Sequence, residues 1–190
     1  MKKGLTVFII ILVALVLTLF SGYNGLVASE EKVNNAWSQI DNQLQRRADL
    51  IPNLVNTVKG YAAHEEQILT EVTKARERLM GAGSVSDKAD AEEELSRALS
   101  RLLAIAENYP ELKADANFRQ LADELAGTEN RIAVARMDYN NAVQSYNTKI
   151  RRFPTNIVAK IFGFEKKAYF EVQEEARVAP EVDFGTKEKN

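Results

Sequence analysis

An uninterrupted apolar segment near the N-terminus constrains this chain more than any other feature. Residues 4–29 contain no charged side chain, and the centre of the stretch, residues 5–20, reads LTVFIIILVALVLTLF. An α-helix rises 1.5 Å per residue, so about 20 residues cross the roughly 30 Å hydrocarbon layer of a bilayer. We therefore expect one transmembrane anchor over residues 4–24.

The charges beside this segment predict its orientation. Lys2 and Lys3 precede it, whereas residues 30–32 beyond it read EEK. Excess Lys and Arg favour the cytoplasmic side, so we expect a single-pass protein of the cell membrane, with residues 1–3 in the cytoplasm and the part after the anchor outside the cytoplasm. A cleaved secretory signal is the alternative, since it also combines a basic start with an apolar run. The stretch SGYNG at residues 21–25 is a poor cleavage site, and residues 27–29 offer a second one.

The composition excludes several classes of site. Lys and Arg number 25 and Asp and Glu number 27, which gives a net charge of -2, and we therefore expect no nucleic-acid partner. The chain contains no cysteine, so disulfides and thiolate metal sites are excluded. The part after the anchor, about 160 residues, is long enough for one domain with an ordinary core.

An apolar stripe with alternating steps of four and three residues follows the anchor and predicts a long amphipathic helix over residues 33–79. Pro52 and Gly60 interrupt the stripe, yet its phase continues through both. We favour one helix kinked at Pro52 over two antiparallel helices that reverse there, because residues 45–51 offer no Gly or Asn for a left-handed cap. The stripe comprises Val33, Trp37, Ile40, Leu44, Ile51, Leu54, Val58, Tyr61, Ile68, Val72, Ala75 and Leu79.

Two further long helices are predicted. The loop at residues 81–86 precedes a helix capped by Ser86 or Asp87, which ends near Asn108 before Tyr109 and Pro110. Asp115 is expected to cap the next helix, which continues to about residue 150. The prediction is an all-α fold: the anchor, then an elongated antiparallel up-and-down helical bundle over residues 25–171, with three long helices, or four if the first reverses at Pro52.

The C-terminal part differs in character. Residues 151–170 mix aromatic and basic side chains, and residues 172–190 form an acidic stretch that we expect to be a loosely ordered tail. If the first helix is only kinked, residues 151–170 should cap the distal end of the bundle. If it reverses, they would return to the bilayer and rest on anionic headgroups. We favour the capping role.

Several short motifs resemble signatures of the LemA family of bacterial membrane proteins. The resemblance extends from the anchor to about residue 184 and implies a helical bundle, usually described as four helices, tethered by one N-terminal span. It implies no activity, because the family has no established biochemical role or catalytic residues. The motifs are YNGLV (23–27), RRADLIPNLV (46–55), VKGY (58–61), ENYPELK (107–113), TENRIA (128–133), YN (139–140), YN (146–147) and FP (153–154).

Candidate catalytic or metal groups are scarce. His64 is the single histidine, so a helix-borne zinc site of the HExxH kind lacks its second ligand. A Ser-His-Asp triad would need that same histidine, and no Gly-x-Ser-x-Gly turn is present. Paired carboxylates stay open as acid and base, although on exposed helices they usually pair with Lys or Arg. We predict no catalytic residue, metal or cofactor.

Two polar groups could be structural or could contact a partner. Near Pro52, arginine or asparagine side chains could satisfy carbonyl groups that a kink leaves free. On the third helix, asparagines are repeated although asparagine is a poor helix former, which suggests hydrogen bonds that fix helix register or bind a partner. The residues are Arg46, Arg47, Asp49 and Asn53 in the first group, and Asn130, Asn140 and Asn147 in the second.

The sequence thus predicts a membrane-anchored, non-enzymatic bundle of unknown specific role that binds an envelope protein outside the cytoplasm. A ligand-sensing ectodomain that acts through a partner is the first alternative, and a hydrolase is the second. A deep polar pocket would favour sensing, whereas an exposed apolar surface would favour protein binding.

Overall fold

A computed structural model describes the backbone of residues 2–171 and the side chains of residues 4–171. Within these residues all regular secondary structure is helical, so the predicted all-α class is confirmed. The predicted acidic tail, residues 172–190, lies outside the described residues. The helices are α1 (Lys2–Tyr61), α2 (Glu66–Gly81), α3 (Val85–Ala106), α4 (Pro110–Ala114), α5 (Ala116–Lys149) and α6 (Thr155–Phe162).

α1 joins the apolar segment to the bundle in one helix of 60 residues. From Gly4 to Thr18 every side chain is exposed, and the first buried side chain is that of Leu26. Among the described helices, α1 is the one long and apolar enough to cross a membrane, with a mean hydropathy of 2.8 in its apolar window. This is consistent with a single-pass anchor. The helix continues without a break across the predicted domain boundary at residues 24–25.

The chain reverses at residues 62–65 and not at Pro52. α1 runs through Pro52 and ends at Tyr61, directly after Gly60, and α2 begins at Glu66. Our prediction of one helix over residues 33–79 is therefore wrong, and so is the alternative of a reversal at Pro52. The spacing of apolar residues could not reveal the turn, because the apolar face of α2 continues the phase of the apolar face of α1 and packs into the same core. The buried residues of α2 are Ile68, Leu69, Val72, Ala75 and Leu79.

The proline in α1 is accommodated by a side chain from α2. Pro52 has no N–H, so the carbonyl of Ala48 loses its usual donor four residues later in the helix. The Nε of Arg76 donates a hydrogen bond to this carbonyl at 2.8 Å. Ala48 is fully buried, where an unpaired carbonyl would be costly. The helix therefore passes the proline without an orphaned acceptor.

The starts of α3 and α5 are set by side-chain caps. The Oγ of Ser84 accepts a hydrogen bond from the backbone N–H of Asp87, so the predicted caps Ser86 and Asp87 are wrong, because both already lie within the first turn of α3. Asp115 caps α5 as predicted, accepting from the N–H of Phe118 at 2.8 Å. That bond, with a further one from the Tyr61 hydroxyl, lowers the pKa of Asp115.

α5 packs antiparallel on α1, and its C-terminal end returns to the apolar segment. The Tyr61 hydroxyl donates to Asp115 at 3.0 Å, and further along the pair Trp37 contacts Tyr139 with 5.6 Å between ring centroids. At the end of α5, Lys149 donates to the hydroxyl of Ser29. Residue numbers thus rise along α1 while they fall along α5, as an antiparallel pair requires.

The position of residues 151–170 contradicts the distal capping role. α6 lies against α1 beside the apolar segment, where the ring of Phe162 is 4.8 Å from that of Tyr23. Further along, Lys167 forms an ion pair with Glu30 at 2.7 Å. The prediction failed because it depended on an unbroken first helix. Since the chain reverses after Tyr61, α5 points toward the apolar segment and carries these residues with it.

The Ala48 carbonyl provides a test of how Pro52 is tolerated. Changing Arg76 to Met should lower the free energy of unfolding by about 1–3 kcal/mol, because the buried carbonyl loses its donor. In a Pro52→Ala background, the new backbone N–H donates to the Ala48 carbonyl. The same Arg76→Met change should then lower the free energy of unfolding by clearly less. Denaturant unfolding of the full chain in detergent micelles measures both steps. Exposed Lys74, changed to Met on the same helix, is the control, and equal costs in the two backgrounds would contradict the account.

Candidate functional site

The predicted polar residues near Pro52 do not form one site. Arg46 is exposed and lies 3.9 Å from the Glu124 carboxylate, and exposed Asp49 accepts a hydrogen bond from Gln45 at 2.9 Å. Asn53 is exposed as well. None of these side chains satisfies the carbonyl freed by Pro52, which takes its donor from Arg76 on α2. The expected chemistry therefore occurs, but with a residue that the sequence analysis did not select.

Arg47 is the member of this group that points into the bundle. It is 4% exposed, and its Nη1 lies 2.7 Å from a carboxylate oxygen of Glu92 on α3. Nη1 also pairs with Glu129 on α5, while Arg136 of α5 lies 3.8 Å from the second oxygen of Glu92. The Ser96 hydroxyl donates to Glu92 at 3.0 Å. This charge cluster, Arg47, Glu92, Glu129 and Arg136, has the buried Arg47–Glu92 pair at its centre and connects α1, α3 and α5.

Burial dominates the electrostatics at Glu92. Loss of solvation raises the pKa of its carboxyl group, although Arg47 acts in the opposite direction. A buried ion pair contributes little net stability, but removing one partner leaves an uncompensated charge and is strongly destabilising. We therefore interpret the cluster as a device that fixes how three helices pack.

The sequence analysis did not predict the partners of Arg47, which are Glu92, Glu129 and Arg136. The apolar patterns nevertheless indicated that Arg47 and Glu92 would be buried. Arg47 interrupts the apolar stripe of α1. Glu92 lies three residues before Leu95, in phase with the apolar positions of α3. Two opposite charges on two apolar stripes predict a buried pair, because neither could be buried alone.

Asn140 and Asn147 hold the C-terminal strap, which we define as residues 164–170. The amide of Asn147 donates to the Lys167 carbonyl at 2.9 Å and accepts from the Lys167 N–H at 3.0 Å. Asn140 bonds to Phe170 in the same way, at 3.3 Å and 2.9 Å. The predicted role for these asparagines, hydrogen bonds that fix register, describes this arrangement, although the partner is a non-helical segment.

The spacing of the two asparagines matches the strap. They lie seven positions apart on α5, which is about 10.5 Å along a helix. Lys167 and Phe170 are three positions apart, and three extended residues span about 10 Å. The two spacings agree, so Asn147 and Asn140 can each pair with one residue of the strap, Lys167 and Phe170. Asn130, the third predicted asparagine, is exposed and takes no part.

The strap completes an aromatic cluster around Trp37. Phe170 is 1% exposed, and its ring centroid lies 6.1 Å from that of Trp37. On the other sides, Tyr139 contacts Trp37, and the Lys88 ammonium lies 5.8 Å above the indole ring. The strap therefore packs against α1 and α5 where Lys88, near the start of α3, also reaches Trp37.

The described residues offer little for catalysis or metal binding. No group of three or more His, Asp or Glu side chains within residues 4–171 could hold a metal ion. His64 is exposed in the turn between α1 and α2. A cavity of about 650 Å³ between α1 and α5 is lined by arginines, but carboxylates share its walls. Its lining is Arg46, Ala116, Arg119, Gln120, Asp123, Glu124, Gly127 and Arg131.

Removing one asparagine should loosen the strap. In Asn140→Ala the N–H of Phe170 loses its acceptor, and we expect its hydrogen exchange to accelerate about two- to tenfold, since a net hydrogen bond contributes about 0.5–1.5 kcal/mol. Emission from Trp37, the single tryptophan, should shift to the red as Phe170 moves away. Asn130→Ala is the control and should change neither signal. Unchanged exchange and emission in Asn140→Ala would show that the asparagine does not hold the strap.

Comparison with known proteins places the chain in a family. The family model described as the LemA family matches residues 36–184. Magnetosome protein MamQ 2 of Paramagnetospirillum magneticum is 30% identical over 185 residues, covering 84% of this chain and 68% of the relative. MamQ of Magnetospirillum gryphiswaldense is 28% identical, covering 87% and 71%, and protein LemA of Metamycoplasma hominis is 27% identical, covering 82% and 71%. The chain belongs to the LemA family.

Proposed function

We propose that this protein is a membrane-anchored scaffold without enzymatic activity, whose bundle binds an envelope protein outside the cytoplasm. The observation that carries the proposal is the continuity of α1. One helix provides the exposed apolar anchor and then one wall of the bundle core, so a continuous helix connects the anchor to the bundle. A rigid extension of an anchor is suited to holding a partner at a fixed distance from the bilayer.

The internal polar groups support a structural role over catalysis. Arg47, Glu92 and Arg76 are engaged within the bundle. The names of the similar proteins denote a magnetosome location or the family itself, and neither names a reaction. The basic side chains near the anchor favour a cytoplasmic N-terminus, as argued from Lys2 and Lys3.

The outer groove between α1 and α5 is the best candidate surface for a protein partner. Val134 and Met137 are 55% and 57% exposed and lie three residues apart, on one face of α5. Beside them lies a cavity of about 460 Å³ lined by Gln39, Asn42, Gln43, Asn130, Arg131, Val134, Ala135 and Asp138. Amide side chains around an apolar centre resemble the polar rim and apolar core of protein interfaces. Asn130, which bonds to no strap residue, lies in this groove.

Site-specific crosslinking in living cells tests the proposal. A photoreactive phenylalanine analogue at Val134 should give a discrete adduct with an envelope protein, whereas the analogue at exposed Ser100 on α3 should not. A cysteine at Ser100 in this cysteine-free chain should react with a membrane-impermeant maleimide in intact cells. Equal adducts at both positions, or none at Val134, would contradict the binding surface. Labelling that requires lysis would contradict the orientation.

A further inference from the structure

A surface at the base of the bundle is not explained by a scaffold role. We define the juxtamembrane segment as residues 150–166, which comprise α6 and its flanking loops. α6 packs closely on α1: a Cβ added at Gly22 would lie 3.0 Å from Cγ2 of Val158. Tyr23 contacts both Phe162 and Phe164, with ring centroids 4.8 Å and 5.8 Å away. The segment is therefore attached to α1 at Gly22 and Tyr23.

This attachment point lies at the end of the apolar span. Gly4 to Tyr23 is 20 residues, so a helix that begins to cross the bilayer at Gly4 leaves it near Tyr23. Tyr and Trp are enriched at that depth because their amphipathic rings sit at the level of the headgroups. The ring of Tyr23 fits this position, and Phe162 and Phe164 pack against it, so α6 lies at the surface of the bilayer.

α6 has an apolar face that the protein leaves uncovered. Its inner face buries Val158 and Ala159 against the bundle. Ile157 and Ile161, four residues apart and thus on one face of the helix, are 46% and 62% exposed. Phe153, just before the helix, is 80% exposed. Large apolar side chains beside a membrane anchor are covered when they enter the interface between headgroups and acyl chains.

The segment also carries a net positive charge. Arg151, Arg152, Lys160 and Lys166 are exposed, and none forms an ion pair within the described part of the chain. Glu165 is the exposed carboxylate within the segment, so the balance is positive. The neighbouring cation Lys167 is already paired with Glu30. Cations next to an apolar face favour a surface that is both anionic and apolar.

A cavity of about 550 Å³ has one apolar wall and one basic wall. On one side it is lined by Leu17 and Thr18 of the apolar span, and on the other by Lys149 and Arg152. A phospholipid has a matching arrangement, because its acyl chain lies within the membrane and its phosphate lies at the membrane surface. The apolar wall continues into the membrane, which favours a lipid headgroup over a phosphate ion from solution.

We propose that the juxtamembrane segment binds anionic phospholipids of the leaflet in which the C-terminal end of the anchor lies. The exposed isoleucines and Phe153 enter the interface, and the arginines and lysines contact phosphate groups. This inference rests on the membrane anchoring of the proposed function. It adds a lipid preference that a transmembrane helix alone would not confer.

Spin-label quenching in nanodiscs tests the proposal on the full-length chain. Because the chain lacks cysteine, Ile157→Cys can carry a single environment-sensitive fluorophore. The nanodiscs contain phosphatidylcholine and equal fractions of spin-labelled phosphatidylglycerol or spin-labelled phosphatidylcholine. We expect labelled phosphatidylglycerol to quench the probe about fivefold more efficiently, the enrichment that one surface cation confers on an anionic lipid. The difference should shrink at high salt.

Charge variants separate lipid recognition from simple proximity. Arg152→Gln with Lys160→Gln should lower the preference for phosphatidylglycerol while quenching by phosphatidylcholine persists. Lys59→Gln with Lys74→Gln, two exposed lysines far from the anchor, should leave it unchanged. The Trp37 emission spectrum reports whether each variant keeps its fold.

Probes elsewhere distinguish failure of this inference from failure of the anchoring. A probe at Val13 in the anchor should be quenched by both lipids, and a probe at Ser100 by neither. An unquenched Val13 probe would overturn the anchoring and the lipid site together. A quenched Val13 probe with an unquenched Ile157 probe would overturn the lipid site alone. Equal quenching of the Ile157 probe by the two lipids would overturn the preference for anionic lipid.

Discussion

The antiparallel packing of α5 on α1 is the contact on which the rest of the molecule depends. It extends from the Tyr61–Asp115 hydrogen bond to the contact between Ser29 and Lys149. It returns the chain to the apolar segment, so that α6 and the strap lie beside the anchor. α2 and α3 form a shorter hairpin that completes the upper part of the bundle against α1. Without the long pair, neither the aromatic cluster around Trp37 nor the attachment at Gly22 would form.

Polar groups fix the register of the bundle at three places. Arg76 of α2 donates to the α1 carbonyl freed by Pro52, the charge cluster joins α1, α3 and α5, and two asparagines of α5 hold the strap. Each pairs a group that would be costly to leave buried and unbonded, so a shifted register would be penalised. Apolar stripes with a repeated three-four step are tolerant of such shifts, and these bonds supply the specificity that the stripes lack.

The sequence predicted the anchor, the all-α class and the cap at Asp115 because each depends on local composition or on one side chain. The sequence did not predict the reversal after Tyr61, because the helices on both sides of the turn pack into one core and their apolar repeats have the same phase. That error displaced residues 151–170 to the wrong end of the bundle. Arg47, Asn140 and Asn147 stood out as unusual polar residues and Asn130 with them, but Asn130 is exposed, and the partners Glu92, Lys167 and Phe170 are distant in sequence, so local patterns do not encode their pairings.

The return of the chain to the anchor can be measured directly with a designed disulfide. A Cβ at position 22 would lie 3.7 Å from the Cβ of Val158, close to the mean of about 3.8 Å found in disulfides. Gly22→Cys with Val158→Cys should therefore form an intramolecular disulfide in native membranes under mild oxidation, while Gly22→Cys with Ser100→Cys should not. If both thiols at 22 and 158 stay reduced and react with maleimide, α6 does not lie against α1, and the account of the base of the bundle is wrong.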